Sequence, residues 1–191
     1  MPFRPEMLEL EQNGITRLAF PRIDDPKVIA LWFGEGDTPT PRFIRDAAIE
    51  ALNNGETFYT HTRGRPELRL AIASYLKRLY GVDIADDRIT VPGASMSAIT
   101  IAAQSALTSA DHAIIIGPAW PNIGLTYRMT GAAVSEVSQT LGESGWTLDM
   151  DRVRDAIRPN TRSLFVNSPC NPTGWIMPPQ QQTELLALCR E

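Results

Sequence analysis

Cysteine and histidine are nearly missing from this chain, with two of each among 191 residues. Cys170 and Cys189 show no Cys-x-x-Cys spacing and have no histidine beside them. That excludes a disulfide framework and a zinc site of the usual spacing, and it fits a reducing compartment. Long apolar runs are missing too. The best candidate, "AIIIG" (113–117), has only the length of a strand, so no membrane-spanning helix is expected. The first residues, "MPFRPEMLELEQNG", carry charge where a secretory leader needs an apolar core. A basic excess is also lacking: the net charge of −4 gives no electrostatic case for nucleic acid or an anionic membrane surface. There is no internal repeat or low-complexity segment, and no Gly-x-Gly-x-x-Gly or Gly-Lys-Ser/Thr phosphate pattern. What remains is 43% apolar and 21% charged, an ordinary globular composition at a length suited to about one domain. The expected location is the cytoplasm.

Residues 1–40 read as irregular and rich in proline, and after them helices and strands alternate. Thr40-Pro41 predicts a helix start, a capping hydroxyl followed by proline at the first helical position. Phe43, Ala47, Ala51 and Leu52 recur at helical spacing until Gly55,. A second helix begins near Pro66, carries Leu68, Ile72, Tyr75, Leu76 and Leu79, and stops before Gly81. "RITV" (88–91) reads as a strand, followed by "PGAS" and a helix through Ile99, Ala103 and Leu107. "HAIIIG" (112–117) is a second strand, leading to a helical stretch around Ile123 to Tyr127. "AAVSEV" (132–137) is a third strand, Asp149 caps a helix containing Val153 and Ile157, and "SLFVN" (163–167) is a fourth strand. A last helix runs from about Pro178 through Leu185, Leu186 and Leu188. Strands with little polar alternation between helices imply an α/β layer, a mostly parallel sheet with helices on both faces. Ligands of such sheets bind beyond the carboxyl ends of the strands.

The unusual stretches of this chain fall at those ends. "VPGASMSA" (91–98) joins a strand end to a helix start through small residues. Free N–H groups and the helix dipole there attract a phosphate, although this stretch alone favours a tight turn without a ligand. "GPAWPNIG" (117–124) sets Trp120 between prolines, either to stack on a flat heteroaromatic ring or to pack the edge of a core. "FVNSPCNPTGW" (165–175) is the most specific. Pro169 and Pro172 lack backbone donors and restrict Ser168 and Asn171 to extended backbone. A rigid Asn171 amide can donate and accept at once, which suits a phenolate-type oxygen or a carboxylate.

"NSPCNPTG" resembles the asparagine-proline-threonine-glycine motif of the class I/II aminotransferases, the pyridoxal-phosphate (PLP) enzymes of fold type I. "LWFGEGDTPTPRFIRDAAIEALNNGETFYTHTRGRPELRLAIASYL" (31–76) is similar to the family's Gly-Glu-x-Asp-x-x-Thr-Pro opening, its Tyr-Thr turn and its Gly-x-Pro-Glu-Leu-Arg helix start. The motifs occur in family order from about Leu31 to Gly174. The resemblance implies an incomplete PLP-dependent transferase large domain over 41–191, preceded by an N-terminal arm or small-domain segment over 1–40. It implies that the Gly34 N–H meets the substrate α-carboxylate, and that Tyr59 reaches the cofactor phosphate of a partner subunit in a homodimer. Ala94, Ser95 and Met96 become the phosphate cradle, and Trp120 the stacking partner of the pyridine ring. Asn171 then bonds the ring's 3′-oxygen and lies near the substrate carboxylate. The substrates implied are an amino acid and a 2-oxo acid.

Departures from the family pattern limit this reading. Family members often carry glycine or a hydroxyl residue where Ala94 stands, leaving only backbone contacts there. His61 and Arg63 could line a substrate entrance or sit in a solvated loop. The family's imine-forming lysine and the aspartate beneath the ring nitrogen lie beyond the Asn171 motif. Lys27 and Lys77 match neither context and read as surface charge,. No catalytic residue is therefore assigned in this chain, and it is expected to be inactive alone. The alternatives are a PLP-dependent carbon–sulfur lyase of the same fold and a catalytically dead binding or interaction module.

Overall fold

The computed structural model describes residues 3–10 and 13–190. Met1, Pro2, Glu11 and Gln12, part of the segment expected to be irregular, lie outside the described residues. In chain order the helices are α1 (Pro5–Leu8), α2 (Gly14–Ala19), α3 (Arg42–Asn53), α4 (Pro66–Tyr80), α5 (Ser95–Ala106), α6 (Pro121–Met129), α7 (Met150–Asp155) and α8 (Pro179–Leu188). The strands are β1 (His112–Gly117), β2 (Ala133–Ser138), β3 (Thr140–Gly142), β4 (Gly145–Thr147) and β5 (Thr161–Phe165). Two compact units emerge, one joining the residues up to Gly14 with Met96 onward, the other running from Ile15 to Ser95.

The first unit is built on the apolar run of β1. β2 and β5 both pair with it in parallel, giving the order β2-β1-β5. Every residue of β1 is buried, as a central strand covered on both faces requires. Its side chains alternate between two cores. Ile114 and Ile116 join Val137, Leu148, Val153, Trp175, Met177 and Leu185 on the face covered by α7 and α8. Ala113 and Ile115 join Ala103, Leu107, Ile123 and Tyr127 on the face covered by α5 and α6. Each fully buried isoleucine is worth about 1.5–3 kcal/mol of transfer free energy. These two faces give the expected parallel α/β layer.

The amino end of this sheet is closed by hydrogen bonds between strands. His112 at the start of β1 is fully buried. Its Nδ1 lies 2.8 Å from Thr161 Oγ1 of β5, and its Nε2 lies 2.9 Å from Ser135 Oγ of β2. Arg158 Nη2 also donates to Ser135 Oγ at 3.3 Å.

In the second unit α3 and α4 form where the periodicity predicts them. α4 ends at Gly81, whose φ of +67° is left-handed and suits a residue without Cβ. Arg69 of α4 is buried and pairs with Asp86 at 3.4 Å. Three local expectations need correction. Residues 88–91 are not a strand: Asp86–Arg88 is a 3-10 turn, and from Ile89 onward the backbone is extended without sheet pairing among the described residues. A strand needs a neighbour for its alternate backbone groups, and only the Val91 N–H to Arg63 carbonyl bond, 2.9 Å, supplies one. The N-cap of α3 is Pro41 with no side-chain capping bond, so the Thr40 hydroxyl does not serve. α7 stops at Asp155, so Ile157 lies beyond it. The β3–β4 hairpin was not foreseen, because "TLGESGWT" is too short and too polar to stand out by alternation. Among the described residues before 40 the regular elements are α1, α2 and the 3-10 turn Phe20–Arg22.

Candidate functional site

The carboxyl end of the β2-β1-β5 sheet, unlike its amino end, is formed by loops. β1 ends at Gly117, and Trp120 follows as the N-cap residue of α6, half-buried against the core that holds Ile115 and Ile123. Both readings of Trp120 thus find support, since it packs on the core and also lines a cavity of about 580 Å3 with Ile115, Arg128 and Glu136. Glu136 folds across β1, where a Cβ on Gly117 would collide with its carboxylate.

β5 ends at Phe165, and the turn Asn167–Trp175 follows. This turn is fastened at several points. The Asn171 N–H donates to Asn167 Oδ1 at 2.8 Å, the Gly174 N–H to the Cys170 carbonyl at 2.7 Å, and the Cys170 N–H to the Trp175 carbonyl at 2.8 Å. The Cys170 thiol lies 3.4 Å from the Pro118 carbonyl, which ties the turn to the loop after β1. Asn171 itself is exposed, and its side-chain amide engages no partner among the described residues. The proline-braced asparagine therefore stands rigid with its hydrogen-bonding capacity unspent.

α5 supplies the third element. Its last turn leads into the amino end of β1, and it packs along β1 through Ala103, with Ile99 against the same core as Trp120. Its N-terminus therefore faces the carboxyl end of the sheet. The first N–H groups of a helix have no intrahelical acceptor, and those of Ser95 and Met96 find none among the described residues. A Cβ added at Gly93 meets nothing within 4 Å, so the approach to this turn is open.

Gln139, just beyond β2, went unnoticed in the sequence. Its N–H donates to the Gly117 carbonyl at 2.6 Å and its side chain is buried. Thr173 Oγ1 of the asparagine turn lies 3.4 Å from its Oε1, while its Nε2 has no acceptor among the described residues. No periodicity marks such a residue; only its position after a strand could have pointed to it.

The remaining candidates lie in the Ile15–Ser95 unit. Gly34 is exposed in irregular backbone. Tyr59 is fully exposed, at 108%, and no partner among the described residues holds its ring. Arg63 Nη1 donates to the Asp87 carbonyl at 2.6 Å. His61 Nδ1 accepts from the Arg63 N–H at 3.1 Å. Lys77 pairs with Asp83 at 2.7 Å on the surface, and Lys27 is exposed. Among the described residues no cluster of histidine, cysteine and carboxylates could hold a metal, and no helix is long and apolar enough to cross a membrane.

The fold is that of an α/β protein whose parallel strands lead into loops at their carboxyl ends. The chain belongs to the family aminotransferase class I and II, whose model matches residues 26–191. It is 37% identical over 184 residues to the aspartate/prephenate aminotransferase of Thermus thermophilus, covering 96% of this chain and 45% of that protein. The probable N-acetyl-LL-diaminopimelate aminotransferase of Bacillus subtilis is 30% identical over 188 residues, 97% of this chain and 47% of the relative. Among solved structures, the aspartate aminotransferase from Thermus thermophilus with maleate superposes with a TM-score of 0.89 at 31% identity, covering 98% of this chain and 50% of that one. The alanine aminotransferase from Pyrococcus furiosus gives 0.88 at 28% identity, with 98% and 49% covered. The chain thus spans about half the length of the relatives it matches.

Proposed function

We propose that this chain is the N-terminal portion of a PLP-dependent aminotransferase that moves an amino group between an amino acid and a 2-oxo acid. One observation carries the reading. The open first turn of α5, the indole of Trp120 and the unspent amide of Asn171 all belong to the carboxyl end of one parallel sheet. A phosphate, a flat ring and a ring oxygen are three parts of one PLP molecule, and the donor set fits them.

In this reading the N–H groups of Ser95 and Met96, with the backbone of Ala94, hold the phosphate, aided by the positive end of the α5 dipole. Trp120 covers one face of the ring and excludes water from it. Asn171 donates to the 3′-oxygen, which fixes the tilt of the ring and keeps negative charge on that oxygen. Gly34 offers its N–H to the substrate carboxylate, and Tyr59 serves the phosphate of a second copy in a homodimer. Bound PLP supplies the electron sink for bond breaking at the substrate's α-carbon. Residues 1–40 act as an arm and 41–191 as the partial cofactor-binding domain, a division of roles rather than of compactness. Neither Lys27 nor Lys77 takes the place of the family's lysine, so the chain alone does not turn over substrate.

The test is a PLP titration followed by borohydride reduction and intact mass. Saturable binding that quenches tryptophan fluorescence, weakened by Asn171→Ala and Trp120→Leu, is expected, with no stoichiometric lysine adduct. Absence of saturable binding overturns the pocket. A one-to-one adduct on Lys27 or Lys77 overturns the assignment of inactivity.

A further inference from the structure

We propose that Arg63 is a positioning residue for the phosphate-binding end of the site. It fastens the Tyr59–Gly64 loop to the segment that delivers Gly93, Ala94 and Ser95, so that the two hold one geometry. The proposal rests on the functional reading above and assigns a task to a residue that otherwise reads as a loop charge. Arg63 makes two contacts four residues apart on one stretch of chain. Its Nη1 donates to the Asp87 carbonyl at 2.6 Å, and its own carbonyl accepts from the Val91 N–H at 2.9 Å. Between those points Ile89 is buried, a third anchor of the segment.

The loop side is fixed as well. The Gly64 N–H donates to the His61 carbonyl at 2.8 Å, and the Arg63 N–H meets His61 Nδ1 at 3.1 Å. Gly64 has a φ of +91°, and a Cβ there would lie 2.9 Å from Val91 Cβ. The loop and the segment are therefore in contact, and only glycine allows the approach. Pro92 and Gly93 then lead directly from Val91 into Ala94 and the first residue of α5.

A phosphate cradle works through N–H groups already aimed before the anion arrives, so loss of alignment lowers affinity without removing any donor. Residues 88–91 have no sheet ladder to provide that alignment, and Arg63 supplies it instead. The same residue lies four positions from Tyr59, whose side chain has no partner among the described residues to fix it. Tyr59 is proposed to serve the phosphate of the second copy, while Ala94 and Ser95 serve that of their own chain. Arg63 thus sets the geometry of phosphate contacts at two sites. A lysine carries the charge but not the planar five-donor fork, so it replaces arginine only in part.

The experiment compares the full chain with Arg63→Met and Arg63→Lys in two measurements. The first is amide hydrogen exchange without ligand. Arg63→Met is expected to speed exchange at the Val91 N–H about tenfold, the scale of one charge-assisted hydrogen bond, with Ile114–Ile116 unchanged. The second is affinity for PLP and for pyridoxal, the same ring without phosphate. Arg63→Met is expected to weaken PLP about tenfold and leave pyridoxal unchanged, with Arg63→Lys between the two. Unchanged exchange overturns the clamp, and faster exchange with an unchanged PLP-to-pyridoxal ratio overturns the positioning role. If wild type itself shows no preference for PLP over pyridoxal, the functional reading fails, and exchange alone still decides the clamp. Should Arg63→Met lose the protection of Ile114–Ile116 through misfolding, Arg63→Lys is judged by the same criteria.

Discussion

The sheet unit and the Ile15–Ser95 unit carry apolar patterns of similar quality and bury them very differently. β1 hides every side chain and its neighbours complete two cores. α3 has a clear apolar stripe yet no buried residue, with Phe43 at 75% exposure. α4 buries only Arg69. Periodicity therefore identifies the face a helix offers but not the surface that receives it. The largest test of this contrast is a pair of truncations followed by urea unfolding. Ile114→Ala should cost about 2–5 kcal/mol, the range for an aliphatic side chain deleted from a packed core. Phe43→Ala should stay within about 0.5 kcal/mol, as for an exposed site. A large loss from Phe43→Ala that grows with protein concentration would show that a second copy covers α3, which would sharpen the proposed dimer rather than the monomer fold.

The two units also differ in how their helices begin. Asp149 caps α7 by accepting from the Asp151 N–H at 2.9 Å and the Arg152 N–H at 3.4 Å. α3 starts at Pro41 with no side-chain bond, although Thr40-Pro41 looks equally suitable on paper. Asp149→Ala should therefore destabilise by about 1 kcal/mol, and Thr40→Ala by less than about 0.5 kcal/mol. Equal losses would mean that the Thr40 hydroxyl caps α3 in solution, and the contrast between the two helix starts would collapse.

Much of the sheet unit was legible because its determinants are local. Ile114, Ile115 and Ile116 are consecutive apolar, β-branched residues, and Asp149 sits one position before its helix. Gly81 marks the end of α4. The candidate segments at 91–98, 117–124 and 165–175 were also visible, since proline, glycine and asparagine punctuate strand ends for stereochemical reasons. What could not be read was anything decided by partners distant in sequence. "RITV" has the composition of a strand, but apart from local turn bonds its backbone N–H groups reach one distant acceptor among the described residues, the Arg63 carbonyl. Gln139 and Arg63 look like surface polar residues until Gly117 and Asp87 are brought beside them. The buried state of His112 depends on Ser135 and Thr161, each on another strand.

That histidine offers the smallest and finest test, between the two ends of one sheet. At the carboxyl end the polar groups of Asn171 and the α5 turn are unspent, whereas at the amino end His112 has both ring nitrogens engaged. Burial pushes its pKa below the ordinary value, and the nearby Arg158 guanidinium pushes it further in the same direction. Asp111 alongside is held below the usual carboxylate range by the Thr108 hydroxyl and N–H, so it stays ionised through the relevant window. The sign follows from which state takes the proton first. Above about pH 6.5, the unfolded value for histidine, both states are neutral and this group adds no pH dependence. Below it the unfolded chain binds a proton that the folded chain resists, so stability falls until pH passes the lowered folded value. Urea midpoints at pH 7.5 and 5.5 for wild type and His112→Gln isolate the effect. The advantage of wild type over the variant should shrink at the lower pH. An advantage unchanged between the two would mean that His112 holds its proton equally in both states, and the amino end would be no more sealed than the carboxyl end.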